Sequence, residues 1–289
     1  MKPNLLNTDR GGCQGVGRAG ERTAFTLLEL LAVIAIIGIL VAIALPNLKS
    51  FTPSTMAAAS RQFLDDVARA RQLAMSQRTT VYMVFIPTNI WGHANYGANW
   101  TQEDFREVTN LFDKQLVGYN FVTLRSMGDQ PGNPSARYLS SWRKLPDGAF
   151  ISLQKFGNPR QFSPPQIRNN GTGESFDIYV FDATNNIPFP LATTKPSNSA
   201  QGPYIPLYYI AFNAMGQLVN GQNQPRGANE LVPLALGSVS FSRDQNTGLA
   251  VARAPSIQES PTGNGTNSFN IVSIDWLTGR ARVQRQEVQ

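Results

Sequence analysis

The stretch RTAFTLLELLAVIAIIGILVAIALPNL occupies residues 22–48 and decides how the rest of the chain must be read. Between Phe25 and Leu45 the only charge is Glu29 and the only hydroxyl is Thr26. At a helical rise of ~1.5 Å per residue this run reaches about 31 Å, enough to cross the hydrocarbon core of a bilayer. A helix buried in a protein core is usually shorter and keeps a polar face, and none is visible here. The expectation is a single membrane-spanning helix. Its carboxylate is the odd residue: inside a span it costs about 2.5–3.5 kcal/mol at the centre and less near an end, so it ordinarily has a partner. Either Glu29 lies near the headgroups and is tolerated, or it waits for a cation. The candidate cation is an amino terminus created by cutting the chain just before Phe25.

Phe25-Thr26-Leu27-Leu28-Glu29, the unbroken apolar run behind them and then Pro46 resemble the N-terminal cleavage and methylation segment of type IV prepilins and of the pseudopilins of type II secretion. The family pattern is a basic leader, a cut before an aromatic residue, Glu as the fifth processed residue and Pro as the twenty-second. Counted from Phe25, Glu29 and Pro46 stand in those places. The resemblance implies cleavage between Ala24 and Phe25 by a prepilin peptidase and N-methylation of Phe25. It also implies assembly through Glu29 and Pro46 with other pilin or pseudopilin subunits, on an assembly platform and its secretion machinery. The family prefers Gly before the cut, and this chain has Ala24, the nearest small substitute.

Four segments are expected: a leader peptide over 1–24, a transmembrane and assembly helix over 25–48, an amphipathic helical half over 49–78, and a β-rich periplasmic domain over 79–289. The leader carries Lys2, Arg10, Arg18 and Arg22 against Asp9 and Glu21. Basic charge before a span keeps that side in the cytoplasm, so the bulk is expected outside the inner membrane. An ordinary secretory signal loses its apolar region with the cut; here the cut precedes the run, which is retained.

The 289 residues are 42% hydrophobic and 15% charged, which suits a folded domain and argues against global disorder. The net charge of +6 is spread thinly, with no dense Lys/Arg run and therefore no strong nucleic-acid signal. Cys13 lies in the leader and His93 in the loop Trp91-Gly92-His93-Ala94-Asn95-Tyr96. Metal sites made of several Cys and His are excluded by count, and neither an enzyme activity nor a cofactor is expected. Asp244-Gln245-Asn246-Thr247-Gly248 imitates the start of a calcium loop but lacks the downstream Glu, and reads as a turn. The acid pairs Asp65-Asp66 and Glu103-Asp104 read as solvated helix faces, and Trp91, Tyr96, Trp100, Tyr208 and Tyr209 as packing residues.

Gly38 and Pro46 are expected to interrupt the span. Thr52-Pro53 signals a fresh helix start, running to about Gln77 after a bend. Met56, Ala59, Phe63, Val67, Ala70 and Ala74 fall on one stripe at helical spacing, so this helix should pack on a sheet, and Asp65 and Arg69 are spaced for an i,i+4 pair. A helix is expected over Thr101–Phe112. Strands are expected near 79–86, 116–124, 137–144, 149–156, 175–182, 204–213, 232–242 and 268–284. Loops at 128–135, 157–173, 184–203, 219–229 and 254–267 separate most of them. The fold class is α+β: a long N-terminal hydrophobic helix continuing into an amphipathic helix packed on a mainly antiparallel sheet with long loops.

Leu145-Pro146-Asp147-Gly148, Phe212-Asn213-Ala214-Met215-Gly216 and Leu277-Thr278-Gly279-Arg280-Ala281-Arg282-Val283 resemble turns of the H-type minor pseudopilins; each is also an ordinary glycine turn. The leading expectation is a structural subunit of a pseudopilus or pilus-like filament. Two others stand beside it: a minor pilin binding DNA, a surface or a secreted substrate through loops 87–110 or 184–203, and a membrane-tethered periplasmic enzyme.

Overall fold

A computed structural model of the chain describes residues 27–48, 51–86, 88–130, 132–157, 166–168, 175–195, 204–267 and 270–285. The chain divides into two compact units, Met1–Lys49 and Ser50–Gln289. In the first, helix α1 spans Leu27–Leu48 and runs through both Gly38 and Pro46 without a break, against the expected interruption. Glycine in a helix costs only about 1 kcal/mol relative to Ala. Pro46 falls in the last turn, where its missing N–H deprives only the carbonyl of Ala42.

The second unit contains helices α2 (Phe51–Gln77), α3 (Gln102–Leu111) and α4 (Asn264–Asn267). Its strands are β1 (Val81–Phe85), β2 (Gly118–Thr123), β3 (Arg137–Tyr138), β4 (Arg143–Lys144), β5 (Ala149–Ile151), β6 (Gln166–Arg168) and β7 (Ser175–Asp177). They continue with β8 (Asp182–Thr184), β9 (Leu207–Phe212), β10 (Leu218–Val219), β11 (Glu230–Ser240), β12 (Ser256–Glu259), β13 (Asn270–Ile274) and β14 (Ala281–Arg285). One sheet has the order β10-β9-β1-β2-β3, with β4 also on β2 and β8 on β9. The other has the order β12-β11-β13-β14, with β5 on β11, and β6 and β7 form a separate pair. The pairings of β1 with β2 and β9, and of β11 with β13, are antiparallel, so the unit is α+β as expected.

α2 buries the stripe its spacing announces: Ala59, Phe63, Val67, Ala70 and Ala74 are fully enclosed and Met56 nearly so. They share one core with Val81, Met83, Phe85, Tyr119, Phe121, Ile210, Phe212, Val272 and Ile274. Burying a side chain such as Phe63 contributes about 1.5–3 kcal/mol, which is why α2 adheres to the sheets. The alternate residues of β1, Tyr82 and Val84, enter a second core together with Ile86 just beyond the strand. β1 therefore carries no polar face, because the first sheet is covered on both sides. α2 lies on one side. On the other lie residues of two long insertions, 86–117 between β1 and β2 and 185–206 between β8 and β9: Ile90, Val108, Leu111 and Phe112 from the first, Ile187, Phe189 and Ile205 from the second.

Several expectations are corrected. α2 begins at Phe51, so Thr52 sits inside its first turn rather than capping it, and Pro53, where a bend was expected, lies within that turn without interrupting the helix; residues 49–50 lie outside those described. Arg69 places its guanidinium over the Phe121 ring, 5.9 Å from the centroid, a cation–π contact in place of the expected partner Asp65. The 137–144 run breaks into β3 and β4, and 149–156 yields a short β5 followed by a 3-10 turn over Leu153–Phe156. The 175–182 run becomes β7 and the start of β8, while 268–284 folds into the β13–β14 hairpin. The polar runs 157–173 and 254–267, expected as loops, contain β6 and β12, because backbone pairing with a neighbour overrides weak local propensity.

Asp66 and Asp104 are both buried rather than solvated. Asp66 Oδ2 accepts from the Tyr119 hydroxyl at 2.5 Å and from Arg143 Nε at 3.1 Å. Asp104 closes a capping box with Thr101 at the start of α3 and also accepts from Thr194 Oγ1 at 2.5 Å.

Candidate functional site

The described side chains of α1, Leu27 to Gly38, are all exposed. Leu27 is 83% exposed and Ile37 still 53%, with Leu28, Leu30, Leu31, Val33, Ile34 and Ile36 between them. At 3.6 residues per turn these positions point in every direction around the helix axis, so the apolar surface has no polar side. Such a helix calls for an apolar environment around its whole circumference. Glu29 stands in its first turn, where the helix dipole favours a negative charge. Among the described residues no helix is long and apolar enough to cross a membrane; the described side chains of α1 end at Gly38, about 18 Å from its start at the helical rise. Pro46 lies in the helix backbone. Ala24 and Phe25 lie outside the described residues.

The three glycine turns singled out in the sequence all abut α2. Gly148 adopts φ +90°, and a Cβ there would lie 3.3 Å from the Thr55 methyl. Gly216 (φ +79°) faces Arg71 and Met75, and Gly279 (φ +63°) faces both Arg71 and the carbonyl of Gly216. Arg71 Nε donates to Thr278 O at 2.7 Å, and Leu218 N donates to Trp276 O at 2.9 Å. The second and third turns thus meet on the C-terminal half of α2. The third shares its construction with Asp244–Gly248. In each, the Asp Oδ1 accepts from the backbone and hydroxyl of the Thr three residues on, and the following Gly donates to the Asp carbonyl. These hydrogen bonds, with Thr247 and Thr278 as donors, hold both carboxyls below the ordinary aspartate value. The calcium-like stretch is therefore a self-closed turn, and among the described residues no group of His, Cys, Asp and Glu could hold a metal ion.

A buried charge cluster went unseen in the sequence. Lys155 is fully enclosed; its ammonium donates to Tyr179 O at 2.6 Å and to the Glu230 carboxylate, and lies 4.3 Å from the Phe181 ring centroid. Arg226 pairs with the other Glu230 oxygen and lies 3.5 Å from Asp182. Burial pushes the Lys155 ammonium below its ordinary value against the pull of Glu230, and raises the Asp182 carboxyl against the pull of Arg226. The cluster ties β8 of one sheet to β11 of the other. Lys155 and Glu230 are 75 residues apart, so no local pattern could signal them. His93 accepts from the backbone of Asn95 at 3.2 Å, as a loop residue does.

The family described as the prokaryotic N-terminal methylation motif matches residues 22–45. The type IV major pilin protein PilE of Neisseria gonorrhoeae is 30% identical over 127 residues, covering 43% of this chain and 69% of PilE. A fimbrial protein of Neisseria meningitidis serogroup A / serotype 4A is 28% identical over 164 residues, covering 56% of this chain and 84% of the relative. No solved structure matches.

Proposed function

This chain belongs to the type IV prepilin and pseudopilin family, and from that premise we propose that it is a structural subunit of a type IV pilus-like filament or a type II secretion pseudopilus. It is anchored in the inner membrane by residues 25–48, with residues 79–289 in the periplasm, and is drawn into a filament through the same helix. The observation that carries this reading is α1, apolar on every side along its described length with one carboxylate in its first turn. Lipid and a bundle of like helices are both environments that such a surface requires. A prepilin peptidase cuts between Ala24 and Phe25, and Phe25 is then N-methylated. Glu29 meets the new amino terminus of an adjacent subunit; in a low-dielectric bundle, a misplaced register would leave that charge buried and unpaired, which is costly. Pro46 marks the end of the assembly helix. The two Neisseria relatives are a type IV major pilin and a fimbrial protein, which favours a pilus. The order of the three turns against α2 favours an H-type minor pseudopilin.

Mass analysis of the N-terminus, on protein from the native membrane fraction, is the test. A chain starting at N-methylated Phe25 is expected. A chain starting at Met1 would overturn processing and leave Glu29 without that partner. Glu29→Ala is expected to insert in the membrane normally and to fail in assembly, and normal incorporation would refute the role given to Glu29.

A further inference from the structure

The two long insertions converge on each other. Thr194 of the second donates to Asp104 Oδ1 of the first, while Asp104 Oδ2 accepts from Thr101 N and Thr101 Oγ1, each at 2.8 Å. The Tyr138 hydroxyl donates to Pro188 O at 2.7 Å, and Trp142 meets Phe189 edge-on with centroids 6.0 Å apart. Between α3, the edge strand β3 with residues 140–142 that follow it, and residues 190–193, these ties leave a groove of about 680 Å³. That volume lies in the range of small-molecule sites, roughly 300–1,000 Å³. Long insertions that fold onto one another around a cleft are a usual place for function.

We propose that this groove binds a neutral saccharide. Its floor carries the half-buried rings of Tyr138 and Trp142, held 5.8 Å apart. Phe189 and Tyr138 fix the Trp142 indole in advance, so little side-chain freedom is lost when a flat apolar face lies on it. The rim carries two carboxylates, Glu103 and Glu107, and two cations, Lys114 and Arg137. Lys114 is paired with Asp113 at 3.0 Å and Arg137 with Asp129 at 3.7 Å, so neither cation is free to hold a strongly anionic ligand. The rim carboxylates are instead strong acceptors for hydroxyl groups. A pyranose has both required faces: a C–H face for the indole and an edge of hydroxyls for the rim. All the residues that line the groove belong to the second unit, so its test does not depend on filament assembly.

The test uses the full chain in lauryldimethylamine oxide micelles, because a sugar-headed detergent would compete. Saturation-transfer NMR is recorded with maltotriose, cellotriose and N,N′,N″-triacetylchitotriose, and with the peptide Ala-Leu-Ala for comparison. At least one trisaccharide is expected to bind saturably, with transfer strongest to its ring C–H protons. Trp142→Ala is expected to weaken binding at least tenfold and Trp142→Phe threefold or less, while Trp91→Phe, outside the groove, changes nothing. The near-ultraviolet dichroism of Trp142→Phe reports that the groove is intact. Saturable binding by none of the three sugars, by the peptide alone, or undiminished in Trp142→Ala would overturn the proposal.

Discussion

Tyr119→Phe tests how α2 is held on the first sheet. The Tyr119 hydroxyl donates to the buried carboxylate of Asp66 at 2.5 Å and accepts from Gln62 Nε2 at 2.9 Å. Gln62 and Asp66 are one helical turn apart on α2, so a single phenol clips two positions of the helix. Burial, reinforced by Asp66, raises the Tyr119 phenol above its ordinary value and keeps it a donor. Phenylalanine retains the ring contacts with Phe63 and Phe85, at 6.1 and 6.4 Å, and removes only the oxygen. Gln62 keeps its second bond, to Lys144 O at 2.7 Å, and Asp66 keeps Arg143, whose side chain is 36% exposed and therefore a screened partner. Two hydrogen bonds are lost, the one to the charged Asp66, about 1.5–3 kcal/mol, and the one from Gln62, about 0.5–1.5 kcal/mol. For a unit of this size each kcal/mol lowers Tm by about 2–4 °C, so a drop of about 6–12 °C is expected around a central loss of about 3 kcal/mol. Thermal melts of the full chain in micelles, followed by near-ultraviolet dichroism, give the number. Tyr179→Phe, at a residue 60% exposed, should leave Tm unchanged. A Tyr119→Phe chain that melts with the Tyr179→Phe control would refute the Asp66 clip.

Gly279→Ala should destabilise by more than about 3 kcal/mol in urea unfolding. Its Cβ would fall 2.0 Å from Gly216 O in addition to the strain of positive φ, about 1–3 kcal/mol; Gly128→Ala, at φ +94° with open space around it, should show the strain alone. Lys155→Met should cost about 3 kcal/mol by leaving Glu230 short of a cation in a dry site, and adding Glu230→Gln should recover part of it in the same assay. The carboxyls of Asp244 and Asp275 titrate lower in the fold than in the unfolded chain. Their contribution is therefore complete above the unfolded value of about 3.9 and disappears as pH falls through the folded value. Asp275→Asn should flatten the acid limb of a stability–pH curve below about pH 4, and an unchanged limb would contradict the turn bonding.

The parts of this fold that were legible are those carried by period. The α2 stripe repeats every three or four residues, and all six residues expected on it are buried. β1 and β9 lie in β-branched and aromatic runs, and α3 falls within the helix expected over Thr101–Phe112. What was not legible depends on partners distant in sequence. Asp66 and Asp104 look like solvated acids until Tyr119, Arg143 and Thr194 are brought to them, and Lys155 looks like a surface lysine until Glu230 meets it. β6 and β12 lie in polar, glycine-rich surroundings and exist through the strands they pair with. The N-terminal methylation motif is local to the first stretch and was readable there. The groove of the two insertions was not, since its floor comes from a third segment.

The latch of Arg71 onto Thr278 carries a temporal consequence. Val272 and Ile274 of β13, with Ala281 and Val283 of β14, complete the core around α2, yet they lie about 200 residues downstream of it. As the chain emerges vectorially, α2 comes out early with its apolar stripe uncovered, and its lid arrives near the end. Contacts of such long sequence separation slow folding. The interval between the two is when this protein most needs a holdase, and a nascent chain halted before β13 should be the one such a chaperone captures best.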